Sequence, residues 1–365
     1  MGLTRWVADA AVKRVHVMII EAPGSALLRM RTEAAATARG WVVASSPANT
    51  DALLICGVPS KTLAGLIDAV WGQIPAPRVR ATVPDAPDLP SILDAVPDDL
   101  RDTGVQRARA GTVSTNTQPA ASTRTMDMDH SGHDMYHSGH DMEHSGHDMD
   151  MTGPGGIPLA EGSVDRDGLE MDATHLTLGP ISADWPAMLS LHCTLHGDVV
   201  AEAAVEWLTV DEVPAASARD DAARLCDSAA RVLAVAGWGP MAARSRRVRN
   251  DILGDVPLDE IRSRLATLTR RLEHSKTLAW STEGIVVPEA GSPRDALIGW
   301  LRTCRSLIDS PTPPPTDQML HPLDKAATGE LIRAAVVGQE LSTVRLIVAS
   351  LGVEHAISRA QVPHG

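Results

Sequence analysis

The sequence predicts an α/β N-terminal domain with a mostly parallel sheet, a disordered His/Met-rich linker, and an α+β C-terminal domain in which a β unit precedes a helical bundle. Three observations carry this. Apolar runs of strand length alternate with helical stretches through the first hundred residues. A tandem seven-residue repeat then occupies residues 126–151. Beyond Gly153-Pro154-Gly155-Gly156 a period-two stretch gives way to leucines spaced by three and four. The predicted boundaries are 1–100 for the first domain, 101–156 for the linker and 157–365 for the second domain.

In the first domain, residues 15–20 read as a buried strand. Residues 25–39 read as a helix closed by Gly40, and residues 41–44 and 51–56 as two further strands. Ser60 caps a helix running to Trp71, and residues 79–83 form a fourth strand. This βαβ rhythm implies parallel strands with helical crossovers. From Pro84 to Thr125 the chain is rich in Pro, Asp, Ser, Thr and Arg and reads mostly as linker, with a short helical segment around 92–100.

In the second domain, Leu189, Leu191, Cys193 and Leu195 alternate with Ser190, His192, Thr194 and His196, the period of a half-buried strand. Gly197-Asp198 turns it into a partner beginning at Val199. Leu258, Ile261, Leu265, Leu268 and Leu272 mark one helix behind Pro257. Ser292-Pro293 starts another with the stripe Leu297, Trp300, Leu301, Cys304 and Ile308, and residues 328–351 form a last one ended by Gly352.

The totals narrow the function. At 365 residues and 44% hydrophobic content the chain can fill two cores. With no Phe, one Tyr (Tyr136) and eight Trp, Ala, Val, Leu and Ile must do the filling. The formal charge of -13 argues against nucleic acid as a partner. No apolar run approaches the roughly 20 residues of a membrane span. No leader pattern follows the basic N-terminus. The expected location is therefore the cytoplasm, with any membrane contact made through a partner. Cys56, Cys193, Cys226 and Cys304 show no CxxC spacing and read as buried free thiols.

The repeat has the clearest chemistry. His130-Ser-Gly-His133-Asp-Met135 recurs as His137-Ser-Gly-His140-Asp-Met142 and as His144-Ser-Gly-His147-Asp-Met149. Ser-Gly within each copy and the lack of an apolar pair exclude a coiled coil, so the segment is expected to be disordered. Residues 126–151 hold six His, six Met and seven acids. Imidazole suits Cu(II), Ni(II) and Zn(II), and thioether suits Cu(I). Neutral imidazole is required, so binding weakens as pH falls through about 6.5. A repetitive solvated spacer would have the same composition.

Two stretches resemble subunits that meet at the quinone end of respiratory complex I and in the related nickel–iron hydrogenases. Ile20-Glu21-Ala22-Pro23-Gly24-Ser25-Ala26-Leu27, Ser46-Pro47, 51–58 and 75–79 resemble the small iron–sulfur subunit over about residues 14–83. Ile157–Gly162, Asp165–Leu169, Leu178-Gly179-Pro180 and 195–200 are similar to the opening of the quinone-facing large subunit. That likeness continues patchily through Arg246-Arg247-Val248-Arg249 and 268–274 to about residue 285. In the hydrogenase branch, Gly-Ser-Cys-x-x-Cys follows the first strand, and the resemblance places its two cysteines at Ala26 and Arg29. Neither can ligate iron, so the resemblance implies that no iron–sulfur cluster is held. The loop after the family's Gly-Pro carries His, whereas here it reads Ile181-Ser182-Ala183-Asp184-Trp185-Pro186. The paired CxxC motifs that hold nickel and iron are missing too.

The expected function is a non-catalytic accessory or assembly subunit of a complex I-like or hydrogenase-like system, with protein subunits of that assembly and transition-metal ions as partners. One alternative is nickel or copper storage or delivery to a metalloenzyme client. Another is an oxidoreductase subunit that binds quinone. Expected metal ligands are His130, His133, Met135, His137, His140, Met142, His144, His147 and Met149, taking Cu, Ni or Zn. No catalytic residue is assigned. His175, His192 and His196 share a strand setting in which polar surface residues explain the spacing. His274 reads as an interface residue, and Arg244, Arg246, Arg247 and Arg249 as a solvated basic turn before a helix.

Overall fold

A computed structural model describes residues 14–102, 104–107, 161–164, 170–209, 217–310 and 325–354. The expected metal ligands between His130 and Met149 lie outside these residues.

Four parallel strands form the first sheet: β1 (His16–Glu21), β2 (Val42–Val43), β3 (Ala52–Cys56) and β4 (Val79–Val83), in the order β2-β1-β3-β4. Every residue of β3 is buried, as a central strand covered on both faces requires. On one face Val17, Leu54 and Val83 pack with Leu89, Leu93, Val96 and Leu100. On the other, Met18, Ile20, Leu53 and Ile55 pack with Leu63 and Ile67. The helices are α1 (Ala26–Ala38), α2 (Lys61–Gln73) and α3 (Leu89–Arg101). Ser60 caps α2 by accepting from the Leu63 amide at 3.3 Å.

The reading of 84–125 as mostly linker is corrected at its start. α3 runs the full length from Leu89 to Arg101, and its stripe at three- and four-residue spacing closes the first core. Pro90 sits in the first turn, where it deprives the helix of no hydrogen bond, and Pro97 is accommodated inside.

The second unit opens with an antiparallel sheet, β5 (Glu161–Val164), β6 (Glu170–Leu178), β7 (Leu189–His196) and β8 (Val199–Trp207), in chain order. Gly197, at φ +66°, makes the β7–β8 turn. Leu189, Leu191, Cys193 and Leu195 face Ile332, Val336, Val344 and Ile347.

Helices follow: α4 (Ala218–Val235), α5 (Gly239–Leu253), α6 (Leu258–Glu273), the short α7 (Lys276–Ser281), α8 (Pro293–Asp309), α9 (Lys325–Val336) and α10 (Leu341–Ser350). Ala222 to Leu233 of α4 are all buried, so this helix is the axis around which the bundle packs. The leucine stripe of α8 closes on it, and that of α6 packs against α5 and α8 in the same core.

Two expectations fail here. The single helix over 328–351 is two helices. Gly338, at φ +82°, breaks it, and the break docks on the β8 edge through Gly338 N to Val200 O (2.7 Å) and Val200 N to Gln339 O (2.9 Å). The basic stretch 244–249 is not a turn but the middle of α5. Among the described residues no helix is long and apolar enough to cross a membrane.

The two units touch along a narrow seam. α1 lies against α4 and α5. Leu208, just beyond β8, and Ile181 join the apolar cluster around Met18 and Ile20.

Candidate functional site

Strand order reverses between β1 and β3, and in open parallel sheets the crevice beyond the carboxyl ends at such a reversal is where ligands settle. Glu21 ends β1 and Cys56 ends β3, joined by Ala22 N to Cys56 O at 2.9 Å. Gly57 follows at φ +86°, and a Cβ there would collide with the Ser25 side chain, so the loop after β3 can close on the loop after β1 only with glycine. Ser25 then leads into α1, whose Arg29 and Glu33 are one turn apart and point at the second unit.

That unit presents Asp227 and Arg231 from α4, Arg246 and Arg249 from α5, Asp184 from the loop after β6, and Glu354 beyond α10. Arg29 donates from Nε to Glu21 Oε2 (2.6 Å) and from Nη2 to Asp227 Oδ2. Arg249 donates from Nη1 to Asp227 Oδ1 and to Glu33 Oε2, both at 2.5 Å. Arg231 reaches Asp227 Oδ2 (3.2 Å), Glu21 Oε2 (3.5 Å) and Glu354 Oε2 (2.7 Å). Arg246 pairs with Asp184 at 2.6 Å.

Arg29–Asp227, Arg249–Glu33 and Arg231–Glu21 therefore each bridge the two units. Asp227, 2% exposed, is the hub, with three guanidiniums around one carboxylate.

Burial and charge pull the titrations apart. Burial pushes Glu21 from its ordinary 4.5 to about 7, helped by the neighbouring Glu354 carboxylate and opposed by Arg29 and Arg231. Burial also acts to raise Asp227, but Arg29, Arg249 and Arg231 outweigh it and hold this carboxyl far below the ordinary range. Glu33 is lowered the same way, burial being overcome by Arg249 and Arg29. Asp184 is raised by burial, with Arg246 opposing. Among these carboxyls, Glu21 is the one that burial lifts to about 7.

Beside this network lies a cleft of about 740 Å³ between the units. Its polar wall includes Glu21, Glu33, Asp227, Arg246, Arg247 and Asn250, and its apolar wall Met18, Ile19, Val43, Ala44 and Ile181. The loop from Gly179 to Trp185 forms one lip, fixed by Trp185 Nε1 donating to Leu189 O at 2.7 Å.

The other expected candidates separate from this site. Cys56, Cys193, Cys226 and Cys304 are free and buried, as their spacing implies. Burial pushes the Cys56 thiol up to about 12, with its hydrogen bond to Thr32 opposing. Cys226 and Cys304 touch inside the bundle at 3.4 Å. His175 lies on β6 beside β7, as expected of a neighbouring strand. His192 is held between Thr177 Oγ1 (3.0 Å) and Glu206 Oε2 (3.0 Å) on the exposed sheet face. His274 stands at the end of α6, with Nδ1 2.8 Å from Arg270 O. Among the described residues, no group of three or more His, Cys, Asp or Glu side chains is arranged to hold a metal ion.

Neither a protein-family model, a curated protein nor a solved structure matches this chain.

Proposed function

We propose that the chain is a non-catalytic accessory or assembly subunit of a complex I-like or nickel–iron hydrogenase-like system, fusing counterparts of the small and large subunits and carrying a metal-attracting segment between them. One observation carries this reading. The end of β1 and helix α1 on one side and the loop after β6 on the other, each within or next to a stretch of resemblance, line the same cleft from opposite units. The fusion would thus keep the mutual docking of two subunits within one chain.

The position where the resemblance puts a cluster cysteine is Arg29, and its guanidinium is engaged by Glu21, Glu33 and Asp227. A cationic side chain held by three carboxylates offers no ligand to iron. Charge pairing takes the place of metal ligation at the heart of the seam, which supports a structural role over electron transfer.

Purification of the untagged native assembly, with metal analysis of each subunit, tests the proposal. Co-purification with complex I-type or hydrogenase-type subunits, and iron well below one atom per copy of this polypeptide, is the expected result. A chain that runs alone, or one that contains a stoichiometric iron–sulfur or nickel–iron centre, overturns it.

The six His and six Met of residues 126–151 favour a second reading, delivery of nickel or copper to a metalloenzyme client. Deleting 126–151 distinguishes the two. Loss of client metal with the assembly intact supports delivery, and unchanged client metal supports the accessory role alone.

A further inference from the structure

The ion-pair network satisfies its own members but not the whole wall of the cleft. Glu33 and Asp227 accept from Arg29 and Arg249, and Asp184 accepts from Arg246, so these carboxylates are committed. Among the groups left over are two donors. Arg247 lines the cleft from α5, exposed, and makes no hydrogen bond or ion pair among the described residues. Asn250 uses its Oδ1 to accept from Arg249, which leaves its amide N–H groups uncommitted.

The formal charges around the cleft balance. Arg29, Arg231, Arg246, Arg247 and Arg249 stand beside Glu21, Glu33, Asp184, Asp227 and Glu354. Among these guanidiniums, Arg247 is the one that makes no ion pair among the described residues. The facing wall is apolar: Met18 and Ile19 from β1, Val43 and Ala44 beyond it, and Ile181 from the opposite lip. Val43 is 42% exposed there. The volume suits a compact organic ligand.

We propose that the cleft binds a small amphipathic monoanion, a carboxylate with an apolar body of several carbons. Its charged end pairs with Arg247 and Asn250 and its body lies against Met18, Val43 and Ile181. A planar guanidinium offers a carboxylate two parallel hydrogen bonds, and a neutral or cationic ligand would leave these donors unused. The proposal is independent of the assembly role, because it rests on donors and apolar surface that the seam itself does not use.

Calorimetric titration of the full-length protein with octanoate, octylamine and octanol at pH 7 tests it. Saturable octanoate binding is expected, with octanol at least tenfold weaker and octylamine not binding. Arg247→Gln should weaken octanoate about tenfold. Arg244→Gln, one turn along the same helix and outside the cleft, should leave it unchanged. Val43→Asp should abolish binding through the opposite wall. Absence of saturable octanoate binding overturns the proposal. Octanol binding equal to octanoate, or octanoate binding indifferent to both Arg247→Gln and Val43→Asp in variants whose melting curves match the parent, also overturns it.

Discussion

Leu265 and Leu301 in the helical bundle and Arg249 at the seam are all but withdrawn from water, yet they are stabilised by opposite means. The bundle interior is aliphatic around α4, with a thiol pair at Cys226 and Cys304. Its energy is the transfer of apolar surface, which depends little on pH. The seam is built of guanidiniums and carboxylates whose withdrawal from water is repaid only by pairing. A core of the first kind tolerates a different shape of similar volume, whereas a network of the second kind fails when one member is lost. The seam therefore specifies how the two units meet more than it adds to their stability.

The largest expected difference comes from the hub. Asp227→Ala leaves Arg29, Arg231 and Arg249 without their shared partner and should cost about 3–5 kcal/mol in denaturant unfolding. Leu265→Ala or Leu301→Ala should cost about 2–5 kcal/mol. Their cost should be constant from about pH 3 to 8, whereas that of the hub variant should shrink as pH falls below about 4. A pH-dependent cost in the bundle would erase the contrast.

Gly57→Ala is next, at about 1–3 kcal/mol. The added Cβ meets Ser25, whose own Cβ would be 2.9 Å away, at a backbone φ of +86°. Parent-like stability of this variant would show that the two loops at the switch point need not approach closely.

Glu21→Gln should have a smaller, signed effect. Glu21 is raised from 4.5 to about 7 in the folded protein, so between these values the native state holds a proton that the unfolded chain has released. Stability should fall as pH rises through that window. Asp227 and Glu33 are depressed. Their contribution is present above the ordinary carboxylate value of about 4 and is lost as pH falls below it. The parent should thus be most stable near pH 4.5 and lose stability up to about pH 7. Glu21→Gln should remove the decline on the alkaline side, and melting midpoints at pH 5, 6, 7 and 8 check this. The smallest effect is expected from deleting 126–151, which should leave the melting midpoint unchanged and remove copper binding.

The same contrast decides what the sequence reveals. β1, α1, β3, α2 and β4 are readable because buried strands and capped helices leave apolar runs and stop residues in local order. α6 and α8 are readable from their leucine stripes. α3 was obscured by Pro90 and Pro97, although Leu89, Leu93, Val96 and Leu100 keep helical spacing. The break at Gly338 had a local stop signal, a glycine in the left-handed region, but apolar residues on both sides, Val336 and Leu341, let the stretch read as one helix. α4 and α5 were missed because Ala, Arg and Asp dominate them.

The seam was the least legible part. Arg29 and Asp227 are 198 residues apart in sequence, and Arg246 and Arg249 looked like surface charges. The available signal was Asp227 and Arg231, four apart within an otherwise small and apolar run from Leu225 to Leu233. Charges so placed in a helix that is buried all round must find partners.

The seam rests on Glu33 of α1 and Arg249 of α5 forming a bond between the two units that both need. A double-mutant cycle with Glu33→Ala, Arg249→Ala and the double variant, measured by denaturant unfolding, tests this directly. A coupling energy above about 1 kcal/mol is predicted. Costs that simply add, within about 0.3 kcal/mol, would show that the seam is not held by these charges.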